Sequence, residues 1–240
     1  EVGMAHAYYH LAGIINSSGQ YREALVYLNK ALKIYEQQSR RRNVAIVYND
    51  IGDIYLRLAD FAQAQDFFKR GLQDAKYVGD SLLVAYIIGN SGILEMRRGQ
   101  LAKAEDHFKH AIMLVEQCNG LMGKVLFSPY LALLLAEQGK ISQAQSILHS
   151  TLLLARRLHL VPYIGYVLIT LGNMRLIQAT LLAEHSEASI FDETSIHLLK
   201  RARKTLERAL SFEGIDAEIH LEGCLTLLEV SWLLDRHELL

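Results

Sequence analysis

Two prolines in 240 residues leave helices free to run on, because little in the chain removes a backbone donor from an i→i−4 ladder. Cysteine is equally scarce. Cys118 and Cys224 lie far apart and in no metal-like spacing, which excludes a disulfide framework and a cysteine-based metal site. Both read as reduced, buried small hydrophobes of a cytoplasmic protein. Neither sign of charge is in excess: 25 lysines and arginines stand against 26 aspartates and glutamates. A near-neutral chain lacks the electrostatic footprint of phosphate binding, so no nucleic-acid partner is expected. The start, "EVGMAHAYYHLAG", has no basic leader and no sustained apolar core. The nearest approach to a span, "LHLVPYIGYVLITLGNM" over residues 158–174, contains a histidine and a proline. It falls short of the ~20 apolar residues a span needs, so no membrane is expected either.

What the chain does have is helical periodicity, punctuated by short turn signals such as "SSGQ", "VGD", "RRGQ" and "EQGK". In "FAQAQDFFKRGLQDA", Phe61, Ala64, Phe68, Gly71, Leu72 and Ala75 form one apolar stripe at i, i+3, i+4, i+7 spacing. The other segments between turns behave alike, which predicts an all-α chain of antiparallel helix pairs. The pairs recur every 40 residues. Ala24, Ala64, Ala104 and Ala144 keep that interval, as do Leu28, Phe68, Phe108 and Leu148, and Gly19, Ala59, Gly99 and Gly139. A period of this size marks a solenoid, in which each unit buries its face only against its neighbours.

Within a unit, Tyr48-x2-Ile51-Gly52-x2-Tyr55 followed by Ala64-x3-Phe68 resembles the tetratricopeptide repeat, with Tyr48 in place of tryptophan and Ile51 in place of leucine. Gly92 with Ala104 and Phe108, Ala132 with Ala144 and Leu148, and Gly172 continue the series more loosely. The resemblance implies a right-handed α-α superhelix of about five hairpins plus a partial sixth, forming a single domain over residues 1–240. Its units run at about 4–40, 44–80, 84–120, 124–160 and 164–214, with an insertion at 182–198 and a partial unit at 215–240. Small residues at Gly52, Gly92, Gly172 and the Ala64 series are expected where two helices cross closely.

The unit is about six residues longer than the common repeat of about 34. Those residues are expected between one hairpin and the next, with each helix also lengthened by close to a turn. After Gly172 the alanine due at 184 is replaced by Glu184, and the matching Ala202-x3-Leu206-x2-Ala209 arrives eighteen residues late. The insertion reads as a longer hairpin with a solvated tip. Pro129, inside a first helix, is expected to kink that helix or delay its start. Residues 215–240 read as one more first helix without its partner, and the chain, opening on Glu1, reads as a piece of something longer.

Chemistry is sparse. "GLMGKV" lacks the spacing of a phosphate loop, and neither HExxH nor Gly-x-Ser-x-Gly occurs. His6 with His10 and His107 with His110 have helical spacing but no third ligand in register, so no metal, no cofactor and no enzyme is expected. Lys200, Arg201, Arg203, Lys204 and Arg208 read as the solvated face of a helix. What remains is the inner wall, lined by the first helix of each hairpin, on which the family receives peptides. By the family's register its candidate ligand contacts are Tyr9, Asn16, Asn49, Asp53, Arg57, Tyr86, Asn90, Arg97 and Tyr130; His10, Asp50, Met96, Glu137, Tyr166 and Asn173 face the same way. An amide such as Asn49 or Asn90 both donates to and accepts from a peptide backbone. It equally serves to hold a neighbouring helix.

Long units of this kind resemble the helical-repeat sensor regions of bacterial signalling ATPases and activators of the maltose-regulon class, and those of peptide-pheromone receptors. The resemblance implies a non-catalytic module that binds a protein, a peptide or a small-molecule inducer, and that works beside other domains of a longer chain. A constitutive scaffold without sensing, or a pheromone-receptor domain, are the alternatives.

Overall fold

The computed structural model describes residues 1–184 and 191–238. Among them are eleven helices and no strand. The chain divides into two compact units, Glu1–Gly123 and Lys124–Leu240.

In the first unit α1 (Val2–Ser17) pairs with α2 (Tyr21–Gln37), α3 (Arg41–Arg57) with α4 (Phe61–Tyr77), and α5 (Ser81–Arg97) with α6 (Leu101–Gln117). The hairpins stack through α2 on α3, α4 on α5, and α3 on α5. α7 (Leu121–Glu137) begins at the end of this unit and runs into the second. There α9 (Val161–Glu184) packs against α8 (Ile141–Arg157) and pairs with α10 (Glu193–Leu210), while α11 (Ala217–Glu238) lies on α10 and α9. The expected helical-hairpin repeat is the observed fold.

The turns explain the period. From α2 to α8 every helix has 17 residues. The residue in the left-handed region recurs every 20 positions: Gly19, Ser39, Ala59, Gly79, Gly99, Asn119, Gly139 and His159. After α3 the amide of Ala59 donates to the carbonyl of Leu56 at 3.1 Å, and that of Asp60 to Tyr55 at 2.9 Å. This pair of reversed bonds closes the helix end and satisfies two orphan carbonyls. Asp60 then starts α4 by accepting from the amide of Gln63. The extra length of the unit therefore sits in its helices, and the junction between hairpins is as short as the turn within one; a separate six-residue linker does not exist. Ala59 holds φ at +59° where Gly19, Gly99 and Gly139 occupy the same place. A left-handed conformation costs a non-glycine residue roughly 1–2 kcal/mol. Ala59→Gly is therefore expected to raise stability by about 1 kcal/mol in urea denaturation, part of the relief being offset by glycine's greater freedom when unfolded.

The small residues sit where two helices meet. A Cβ built on Gly52 would lie 2.5 Å from the Phe68 ring, one on Gly92 2.8 Å from Phe108, and one on Gly172 2.6 Å from Leu206. Ala24, Ala64, Ala104 and Ala144 are each 0% exposed. Leu206 against Gly172, with Ala202 and Ala209 also buried, places the late-arriving segment in the register expected for it. The insertion lengthens both helices of that hairpin, α9 onward to Glu184 and α10 backward to Glu193. Residues 185–190 of the insertion lie outside the described residues.

Three expectations change. Cys118 is exposed and Cys224 only partly buried, because Cys118 occupies the solvent-facing C-cap of α6. Pro129 does not delay its helix: α7 starts eight residues earlier, at Leu121, and carries the proline inside it. From Val161 onward the apolar run belongs to a 24-residue helix, long and apolar enough to cross a membrane by length and composition. Most of that apolar stretch is buried among α8, α10 and α11, as befits a core helix.

Candidate peptide-binding face

First helices of successive hairpins run side by side in the first unit, and their half-buried polar residues join across them. The Asn90 side chain on α5 donates to Asn49 Oδ1 on α3 at 2.9 Å. Asn49 in turn donates to Asp50 Oδ1 at 3.2 Å. From α1, the Tyr9 hydroxyl also donates to Asp50. The result is one ladder, Asn90 to Asn49 to Asp50 to Tyr9, spanning α5, α3 and α1. The repeat builds it: each rung joins equivalent faces of two first helices, at separations of 41 residues.

Asp50 is its hub. Burial pushes its carboxyl up to about 6, the bonds from Tyr9 and Asn49 pull it back, and nearby Asp53 raises it further. Tyr9 is raised well above the usual phenol range, first by burial and then by the charge of Asp50. One turn along α3, Asp53 is held by Arg57 at 3.0 Å. That pair is itself half-exposed and screened, and adds little to stability.

The other expected residues take varied places. Tyr86 and Arg97 lie on α5, one turn before and two turns after Asn90; Tyr86 is half-buried and Arg97 exposed. Asn16 is two turns beyond Tyr9 on α1, with its side-chain oxygen buried and without a hydrogen bond. Tyr130 belongs to the second unit, where its ring meets Tyr166 at 5.6 Å. There too Asn173 donates to Glu222 of α11 at 2.7 Å. The structure thus brings Tyr9, Asn49 and Asn90 together through Asp50. The sequence marks Asp50 only as one inward-facing polar residue among several. Two neighbouring polar residues inside one helix turn, Asn49 and Asp50, are the signal that singles it out. Of the histidine pairs, His6 meets the Tyr35 hydroxyl at 2.9 Å, and no group of three metal-ligating residues occurs among the described residues.

Stacked helical hairpins define a helical-repeat protein. Residues 3–76 match the tetratricopeptide repeat. The match covers the first two hairpins, α1 to α4. No curated protein matches the chain. Among solved structures it is similar to aspartyl phosphate phosphatase F from Bacillus subtilis, at 15% identity and a TM-score of 0.65, over 97% of this chain and 60% of that one. It is similar to a Rap protein complexed with competence and sporulation factor, at 18% identity and a TM-score of 0.66, over 99% of this chain and 66% of that one. The Rap conjugation gene regulator of plasmid pLS20, in complex with the Phr* peptide, matches at 15% identity and a TM-score of 0.65, over 99% and 64%. The chain thus spans less than two thirds of the length of these three. At such identities the likeness is one of fold.

Proposed function

We propose that this chain is a non-catalytic module that binds a peptide or protein, or a small-molecule inducer, on the face formed by α1, α3 and α5. In this reading it is the sensor or interaction region of a larger cytoplasmic bacterial regulator. The ladder from Asn90 to Tyr9 carries the proposal. An amide has four hydrogen-bonding sites, and the ladder uses one at Asn90 and two at Asn49. The remaining sites suit a peptide backbone, and Tyr9 and Tyr86 offer flat contact area at low entropic cost. A ligand that engages Asn49 and Asn90 competes with their mutual bond. Binding therefore alters how α3 and α5 are held, and favours one stacking of the hairpins over another. One of the similar structures is a complex with the Phr* peptide and another a complex with competence and sporulation factor, which supports a peptide or protein as the ligand class. The phosphatase named among them is not carried over at 15% identity.

A library of short linear peptides, screened against the purified protein by fluorescence polarisation, tests the face. Asn49→Ala combined with Asn90→Ala removes both partners of the rung, so neither amide is left facing an empty site. The double variant is expected to keep its helicity by circular dichroism and to lose at least tenfold in affinity for any peptide the parent retains, about 1.4 kcal/mol. Undiminished binding would move the site elsewhere.

A further inference from the structure

The third hairpin breaks a pattern kept by its neighbours. Residues 15 and 27, 55 and 67, 95 and 107, and 135 and 147 are equivalent in the 40-residue repeat. The first two pairs are Ile15 with Tyr27, and Tyr55 with Phe67, whose rings stack at 5.6 Å and 11°. The fourth is Leu135 with Ile147. Between these apolar pairs the third holds Glu95 and His107.

Glu95 is only 8% exposed, and its Oε2 is buried without a hydrogen-bond partner. Its Oε1 lies 3.7 Å from Arg98 Nη1. Arg98 reaches back to α4, donating to the Phe61 carbonyl at 2.8 Å and to Gln65 Oε1 at 3.1 Å. On the other side His107 of α6 stands against α5, its Cβ 3.2 Å from the place a Cβ on Gly92 would take. A buried carboxylate thus lies beside the cation that ties α5 to α4, and its charge acts on an imidazole of α6. One of its oxygens is unsatisfied, which is costly unless something satisfies it.

We propose that Glu95, Arg98 and His107 form a proton-responsive joint between the second and third hairpins. A proton taken up by His107 makes donors of both ring nitrogens and adds a positive charge, drawing the Glu95 carboxylate toward α6 and away from Arg98. The tie to the start of α4 slackens, and the protonated ring is held at a net cost to the fold, since burial outweighs the pull of Glu95. Burial lowers the imidazole below its ordinary value; Glu95 and Asp106 oppose that shift, while His110 and Lys103 add to it. A lowered histidine gives stability that is full above its unfolded pKa and is lost as pH falls through the folded one. The joint therefore works in mildly acid conditions. α5 also carries Asn90, so the change arises on a helix of the proposed binding face, although the joint does not depend on that reading.

An NMR titration between about pH 8 and about pH 5 tests it, following the His107 ring together with the backbone amides of Phe61 and Gln65. In the parent protein these amides are expected to shift with the His107 midpoint. In Glu95→Gln the midpoint moves to lower pH and the amides stop following it. The double variant Glu95→Tyr, His107→Phe rebuilds the pair of the second hairpin; it is expected to stay folded, with no titration at Phe61 or Gln65. Amides that ignore His107 in the parent, or that titrate unchanged in either variant, would overturn the joint.

Discussion

Gly52→Ala and Phe68→Leu are expected to destabilise the protein singly and to compensate one another when combined. The alanine methyl would stand 2.5 Å from the Phe68 ring, in a core where Phe68 is only 2% exposed and has nowhere to move. Overpacking of this kind costs about 1–3 kcal/mol. Truncating Phe68 to alanine costs more, about 3–5 kcal/mol, because it leaves a cavity between close-packed helices. The repeat itself shows the remedy. Where the first helix carries glycine in the second and third hairpins, the second helix carries phenylalanine: Gly52 with Phe68, Gly92 with Phe108. Where it carries alanine, at Ala12 and Ala132, leucine stands at Leu28 and Leu148. The double variant rebuilds that second solution, so a urea-denaturation cycle should return a favourable coupling of about 0.5–3 kcal/mol. Additive losses would mean that the two side chains do not share one space.

Asp50→Asn is expected to stabilise the protein at neutral pH. A carboxyl raised to about 6 in the folded state binds its proton more tightly there than in the unfolded chain. Its contribution is therefore full below the unfolded value near 3.9 and is lost as pH rises through 6. Each tenfold change in proton affinity is equivalent to about 1.4 kcal/mol. With allowance for its partial access to water, the buried charge costs about 1–3 kcal/mol by neutral pH. The amide of an asparagine accepts the same bonds from Tyr9 and Asn49 without that charge. Denaturation midpoints of parent and variant should thus coincide near pH 4 and separate near pH 7, with the variant the more stable. A variant that is weaker at pH 7 would show that the charge is balanced by a cation. Such a cost at the centre of the ladder is what a binding face carries when its polar groups serve a ligand as well as the fold.

The helices, their pairing and the positions of closest approach are legible in the sequence because each depends on periodicity alone. Ala64 and its equivalents repeat every 40 residues since every hairpin meets the same steric demand. The late alanine at Ala202 is legible for the same reason. The turns are not. A left-handed residue at Ala59 or His159 has no side-chain signature, so the chain does not advertise that both junctions are equally short. Nor does Pro129 mark a helix start, because a helix tolerates one missing donor when the residues around it are buried.

For the binding face, register places Tyr9, Asn49 and Asn90 on equivalent sides of their helices, and spacing reveals nothing further. Whether an amide turns to a neighbour or to solvent depends on the distance between adjacent first helices. That distance is set by the tertiary packing of buried residues such as Ile51, Ile54 and Ile87. Asp50 becomes the hub because α1 and α5 approach α3 from its two sides. The Glu95 and His107 pair shows the same division. Their order along the chain reveals only two polar residues in two helices. It takes the tertiary packing to bury Glu95 beside Arg98 and to set a half-buried His107 against the same helix.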